Sequence, residues 1–148
     1  MTKQTVSMAE LAPMIREKIA AGGEVVLRVK GTSMRPFFVS DQTDVTLGAA
    51  KEPLSRFDVI LYETANGTYA LHRIVRIQED YLSVCGDALM GNECVAKSRV
   101  IAKVISFTTA GETTLASDSI YQRRVRRWHF WKPLRPVLLA IRRRLKKG

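Results

Sequence analysis

The sequence predicts a mainly β protein with a short N-terminal helix and a basic, amphipathic C-terminal helix. Three observations predict it. Short runs of β-branched and aromatic residues recur between residues 24 and 107, two of them flanking an Asn-Gly pair. Helical spacing of apolar residues occurs only near the two ends. The charge is also segregated. Of the 24 Lys and Arg residues, eleven fall in residues 121–148, which contain no Asp or Glu. Residues 1–120 hold the other 13 and all 14 acidic side chains, so the body carries −1 and the tail accounts for the net charge of +10. At 148 residues and 46% hydrophobic, the chain suits one domain whose core needs no metal or disulfide staple.

In chain order, residues 1–24 form the N-terminal helix. Ser7-Met8-Ala9-Glu10 reads as a capping box, Leu11, Met14, Ile15 and Ile19 supply an apolar stripe, and Gly22-Gly23 ends it. Residues 25–107 form the β domain, with about six strands near residues 24–29, 45–47, 58–62, 69–77, 81–85 and 100–107. Asn66-Gly67 predicts a two-residue hairpin turn between the third and fourth. Residues 108–120, small and polar, read as a linker. In residues 121–148, Trp128, Trp131, Leu134, Leu138, Ile141 and Leu145 recur every three or four positions among arginines, interrupted near Pro133 and Pro136.

That tail suits an anionic membrane surface, with Trp rings at headgroup level and cations against lipid phosphate. A helix docked on the body or on a protein partner and a solvated charge run are the alternatives. No nucleic acid is expected, because the basic residues do not line a folded face. Cys85 and Cys94 form neither a CxxC pair nor a zinc-spaced cluster and are expected as reduced thiols. No cofactor or metal is expected. Residues 1–5 lack an apolar signal-peptide core, and no run approaches the ~18–20 apolar residues of a membrane span. The expected location is cytoplasmic, peripheral on the inner face of the cell membrane.

Two features bear on chemistry. Gly31-Thr32-Ser33-Met34-Arg35-Pro36 lies between strands and makes a tight turn that exposes one hydroxyl beside free backbone N–H groups. A serine nucleophile needs both, although a Ser in a Gly/Pro loop is commonly just a turn residue. His72 lies within a strand, where alternation puts Ala70, His72 and Ile74 on one face and Tyr69, Leu71, Val75 and Ile77 on the other. It is the only His before the tail, and imidazole titrates near neutral pH. A satisfied core histidine is the plainer reading.

Together these residues resemble the type I signal peptidases and the self-cleaving repressors of the LexA type. Gly31 to Pro36 is similar to the family's nucleophile box, and Arg56-Phe57-Asp58-Val59-Ile60 to its next box, with Phe57 where Gly is usual. Leu71-His72-Arg73-Ile74-Val75 looks like the base-bearing box in its endoplasmic-reticulum and archaeal form, His followed by Arg. Gly86-Asp87, with Glu93 after it, looks like the final Gly-Asp box. Four boxes stand in the family's order over about residues 25–107.

The resemblance implies the family's coiled β-sheet fold and a serine endopeptidase. Ser33 would be the nucleophile and His72 the general base, with Asp87 or Glu93 supporting the imidazole; Asp87 could instead serve only its turn. The Ser33 N–H would donate to the oxyanion, while Gly31 offers no second hydroxyl donor. Met34 would line the cleft or be ordinary packing, and Arg35 and Arg73 would be solvated. The basic tail would stand in for the family's transmembrane anchor, and the substrate would be a cytosolic precursor or leader peptide. The alternative is a catalytically inactive peptide-binding module tethered by its tail to a membrane or partner.

Overall fold

The computed structural model describes residues 8–147, so Ser7 of the expected capping box lies outside the described residues. Helix α1 (Met8–Ala20) ends in a Schellman motif. Gly23 N–H donates to Lys18 O at 2.9 Å and Gly22 N–H to Ile19 O at 3.0 Å, with Gly22 at φ +85°, where its missing Cβ is needed.

Eight strands follow: β1 (Val25–Arg28), β2 (Thr43–Gly48), β3 (Val59–Glu63), β4 (Tyr69–Ile77), β5 (Tyr81–Cys85), β6 (Glu93–Ala96), β7 (Val100–Thr109) and β8 (Glu112–Leu115). All pair antiparallel in one sheet, in the order β1-β2-β7-β3-β4-β5-β6, with β8 also on β7. The long β7 organises it. One edge pairs with β2, and the other is shared by β3 near its start and β8 near its end. Alternation then builds two cores. Val45, Leu47, Val59, Leu61, Phe107, Met34 and Phe38 form one, closed by Ile15 of α1. Ile60, Tyr62, Ile74, Leu82, Val84 and Val95 form the other.

The mainly β expectation and the terminal helices hold, and β4 and β5 lie where the alternation placed them. Two strands were not anticipated. The stretch read as a linker continues β7 to Thr109, turns and returns as β8. Its turn is Ala110-Gly111 with both φ positive, +51° and +81°, a two-residue hairpin geometry usually announced by Asn-Gly, which Ala conceals. Asn66-Gly67 behaves differently. Thr64 N–H donates to Thr68 O at 2.7 Å and Gly67 N–H to Thr64 O at 3.0 Å, so the loop is the three residues 65–67 with only Gly67 left-handed.

The basic tail is not one appendage. Helix α2 (Ser119–Trp131), capped by the Asp118 carboxylate on Tyr121 N–H at 2.9 Å, docks on the body and buries Tyr121 and Val125 in the first core. A 3-10 turn at Lys132–Leu134, carrying Pro133, leads to α3 (Arg135–Lys147). Every residue of α3 through Lys146 is exposed. No helix among the described residues is long and apolar enough to cross a membrane.

Candidate active site

Ser33 sits in the loop between β1 and β2. Asp41 N–H to Val29 O and Val29 N–H to Thr43 O, both at 2.9 Å, close that loop at its base. Met34 and Phe38, at 2% and 0% exposure, plug it into the first core. Gly31, at φ +81°, turns the chain so that half-buried Ser33 follows on the outside. Among the described residues, no acceptor is bonded to the Ser33 or Met34 N–H, leaving two donors beside the hydroxyl. Met34 is core, which is the packing alternative for it.

His72 approaches from the sheet. In the β4–β5 register Arg73 pairs with Cys85, the last residue of β5, and Gly86 follows it directly. The Ser33 carbonyl rests on that segment and accepts Ala88 N–H at 2.9 Å. A Cβ on Gly86 would stand 2.6 Å from the Ser33 oxygen, so only glycine allows this approach. The fold thereby sets the Ser33 loop against the segment that follows Cys85, the partner of Arg73 next to His72, and among the described residues no hydrogen bond joins the Ser33 and His72 side chains.

The orientation of the imidazole follows from proton counting. Tyr62 Oη lies 2.9 Å from His72 Nδ1 and donates to Glu93 Oε2 at 2.6 Å. A phenol has one proton and a carboxylate only accepts, so that proton points to Glu93 and Nδ1–H must donate to Tyr62. The Nε2 lone pair is then free, the form a general base needs. Burial against the second core holds His72 below its ordinary pKa; Glu93 and Asp87 oppose this and Lys132 adds to it. Burial, then the bond and charge of Glu93, raises Tyr62, which stays a neutral phenol.

Of the two acidic candidates, Glu93 reaches His72, and only through Tyr62. Asp87 is fully buried elsewhere: Arg73 Nε and Nη2 each donate to it at 2.8 Å, and His129 Nε2 lies 2.8 Å from Oδ1. Burial opposes its charge, but the His129 bond and Arg73 outweigh that and hold its carboxyl below the usual range. The expectation of a solvated Arg73 is overturned. Its side chain is 0% exposed and also donates to Phe57 O at 2.9 Å and Tyr121 Oη at 2.8 Å. A buried guanidinium with this many partners is tolerable because nearly all of its donors are used.

The C-terminal segment completes the surroundings. Trp128 Nε1–H donates to Asp87 O at 2.7 Å, and Lys132 Nζ donates to Gly86 O at 2.8 Å and Cys85 Sγ at 3.1 Å. Helical spacing puts residues 128 and 132 on one face, with His129 beside them, so α2 and the turn after it clamp residues 85–87, the segment on which the Ser33 carbonyl rests. Cys85 and Cys94 are free thiols. Phe57, where the resemblance has Gly, is at φ +78°, a region that favours glycine.

Tyr62, Lys132, Trp128 and His129 were not anticipated as site residues. The apolar stripe at 128, with Lys132 a turn later, was the available signal for the docked face. No family model matches this chain, and no curated protein matches it.

Proposed function

We propose that this protein is a serine endopeptidase with the signal-peptidase and LexA type of fold, acting on precursor or leader peptides in the cytoplasm at the inner face of the membrane. The observation that carries the reading is the His72–Tyr62–Glu93 chain, which leaves Nε2 unprotonated on β4, the strand paired with β5 just ahead of the Gly86 that the Ser33 carbonyl abuts. Support comes also from the ordered boxes and from the left-handed backbone at Phe57.

In this mechanism Ser33 Oγ bonds to the scissile carbonyl carbon while His72 Nε2 takes its proton, and the carbonyl π electrons move to oxygen. The N–H groups of Ser33 and Met34 donate to that oxyanion. Nδ1–H, held by Tyr62 against Glu93, stabilises the imidazolium. His72 returns the proton to the amine as the C–N bond breaks. Water, deprotonated by His72, then attacks the acyl carbon, and the C–Oγ bond breaks as His72 returns the proton to Ser33 Oγ. Ser33 must reach Nε2 once substrate binds, a tightening common in sites that are open when empty.

The absent Ser33–His72 hydrogen bond favours the second reading, a peptide-binding module. A mixed peptide library incubated with wild type, Ser33→Ala and His72→Ala, with products read by mass spectrometry, separates the two. Cleavage by wild type alone supports the peptidase. Silence from all three, with equal peptide retention, supports the binding module.

A further inference from the structure

The outward face of α3 has a defined pattern. At about 100° per residue, Leu134, Val137, Leu138, Ile141 and Leu145 fall in one arc of roughly 100°. Arg142 and Arg144 lie on either side of that arc, and Arg143 lies opposite. The five apolar side chains are between 44% and 75% exposed, and nothing among the described residues buries them. Phe130 and Trp131, stacked edge-on at 5.4 Å, are exposed where α2 gives way to α3. No acidic residue follows Asp118.

A 13-residue helix whose apolar arc is left exposed among the described residues is marginal in water, so that arc calls for a covering surface. The charge decides which one. A second copy would set six cations of α3 against six more, and nucleic acid would neutralise the cations but leave the apolar arc wet. An interface with anionic headgroups above and acyl chains below satisfies both.

We infer that α3, with Phe130 and Trp131 at the end of α2, is a docking surface for an anionic bilayer, and that the docked face of α2 is not part of it. The inference rests on the peripheral location proposed above and not on the peptidase chemistry. The docked face of α2 is occupied: Tyr121 and Val125 are in the core, and Trp128 and Lys132 hold Asp87 and Gly86. Lipid-bound α3 therefore holds the Ser33 segment at the membrane surface, where peptides that emerge from or lie on the bilayer reach it.

The test uses the full chain, as wild type and as Ser33→Ala, with phosphatidylcholine vesicles that contain or lack phosphatidylglycerol. Sedimentation reads binding and tryptophan emission reads insertion. Both proteins are expected to bind the anionic vesicles, with a blue shift that Trp131→Phe removes and with binding partly retained at high salt. Leu138→Glu with Ile141→Glu is expected to lower partitioning about tenfold or more without altering the thermal melt, since neither residue is in the core. Failure of both proteins to bind, or binding unaffected by the double substitution, overturns the inference. So does binding abolished by salt with RNA binding in its place, or a lipid-free dimer that the double substitution dissociates. Because Ser33→Ala cannot cleave, its binding stands or falls separately from peptidase activity.

Discussion

Replacing Tyr62 by Phe removes one oxygen and leaves the fully buried ring in the second core. Two hydrogen bonds go with it, 2.9 Å to His72 Nδ1 and 2.6 Å to Glu93 Oε2. Glu93 is half-buried and recovers water, whereas the His72 N–H loses its acceptor inside the protein. Leaving such a donor unsatisfied costs about 1–3 kcal/mol, which is the expected loss of stability. The effect on catalysis is separate. Without the phenol oxygen, nothing holds the proton on Nδ1 or fixes the ring, so the base is less often in its working form. The expected fall in kcat/KM is about 10–100-fold, or ~1.4–2.7 kcal/mol of transition-state stabilisation. His72→Ala, which removes the base itself, should cost about 10²–10⁴-fold. The assay is cleavage of the best peptide from the library, followed from acid to neutral pH, beside a thermal melt. Wild-type kcat/KM and pH profile in a folded Tyr62→Phe would refute the argument that this chain sets the base.

Other substitutions test the surroundings with opposite or graded signs. Glu93 raises the His72 pKa and Lys132 lowers it, so Glu93→Gln should move the acid limb of the activity profile to lower pH, and Lys132→Met should move it higher; the rate profile of each checks the direction. Gly86→Ala would place a methyl 2.6 Å from the Ser33 oxygen, and the forced shift should lower kcat about 10–100-fold, measured against an unchanged circular dichroism spectrum. Asp87→Asn leaves Arg73 buried without its counter-charge and should cost about 3–5 kcal/mol in urea unfolding at neutral pH. Since the Asp87 carboxyl is held low, its contribution is complete above about pH 4 and is lost as pH falls through the folded value, so the gap to wild type should close in acid.

What could be read in advance differs from element to element. The strand of residues 69–77 was legible because its alternation is unbroken through Ile74, and it put His72 on the same face as Ala70 and Ile74. Tyr62 was not legible, for a reason of register. A two-residue turn at Asn66-Gly67 would pair Tyr62 with Leu71, on the face away from His72. The three-residue loop instead pairs Tyr62 with Ala70 and Ile60 with His72, which puts the phenol on the histidine's side. A slip of one residue exchanges the faces of a strand, so the turn decided the site. The β8 hairpin was hidden because Ala110 takes a left-handed conformation that alanine seldom adopts.

By itself the sequence determined the mainly β class, the helix stop at Gly22-Gly23, the turn that carries Ser33 and the segregation of charge, since each depends on neighbours within a few residues. Tertiary structure decided the rest. Which carboxylate serves His72, why Arg73 is buried, and where the tail stops being body and becomes a free helix all depend on residues brought together across the sheet. Arg73 and Asp87 need Tyr121 and His129 to be satisfied, and those lie 34 or more positions along the chain from both, on a helix whose docked face only the folded body defines. Desolvation and hydrogen-bond satisfaction are properties of that assembly, and no local pattern encodes them.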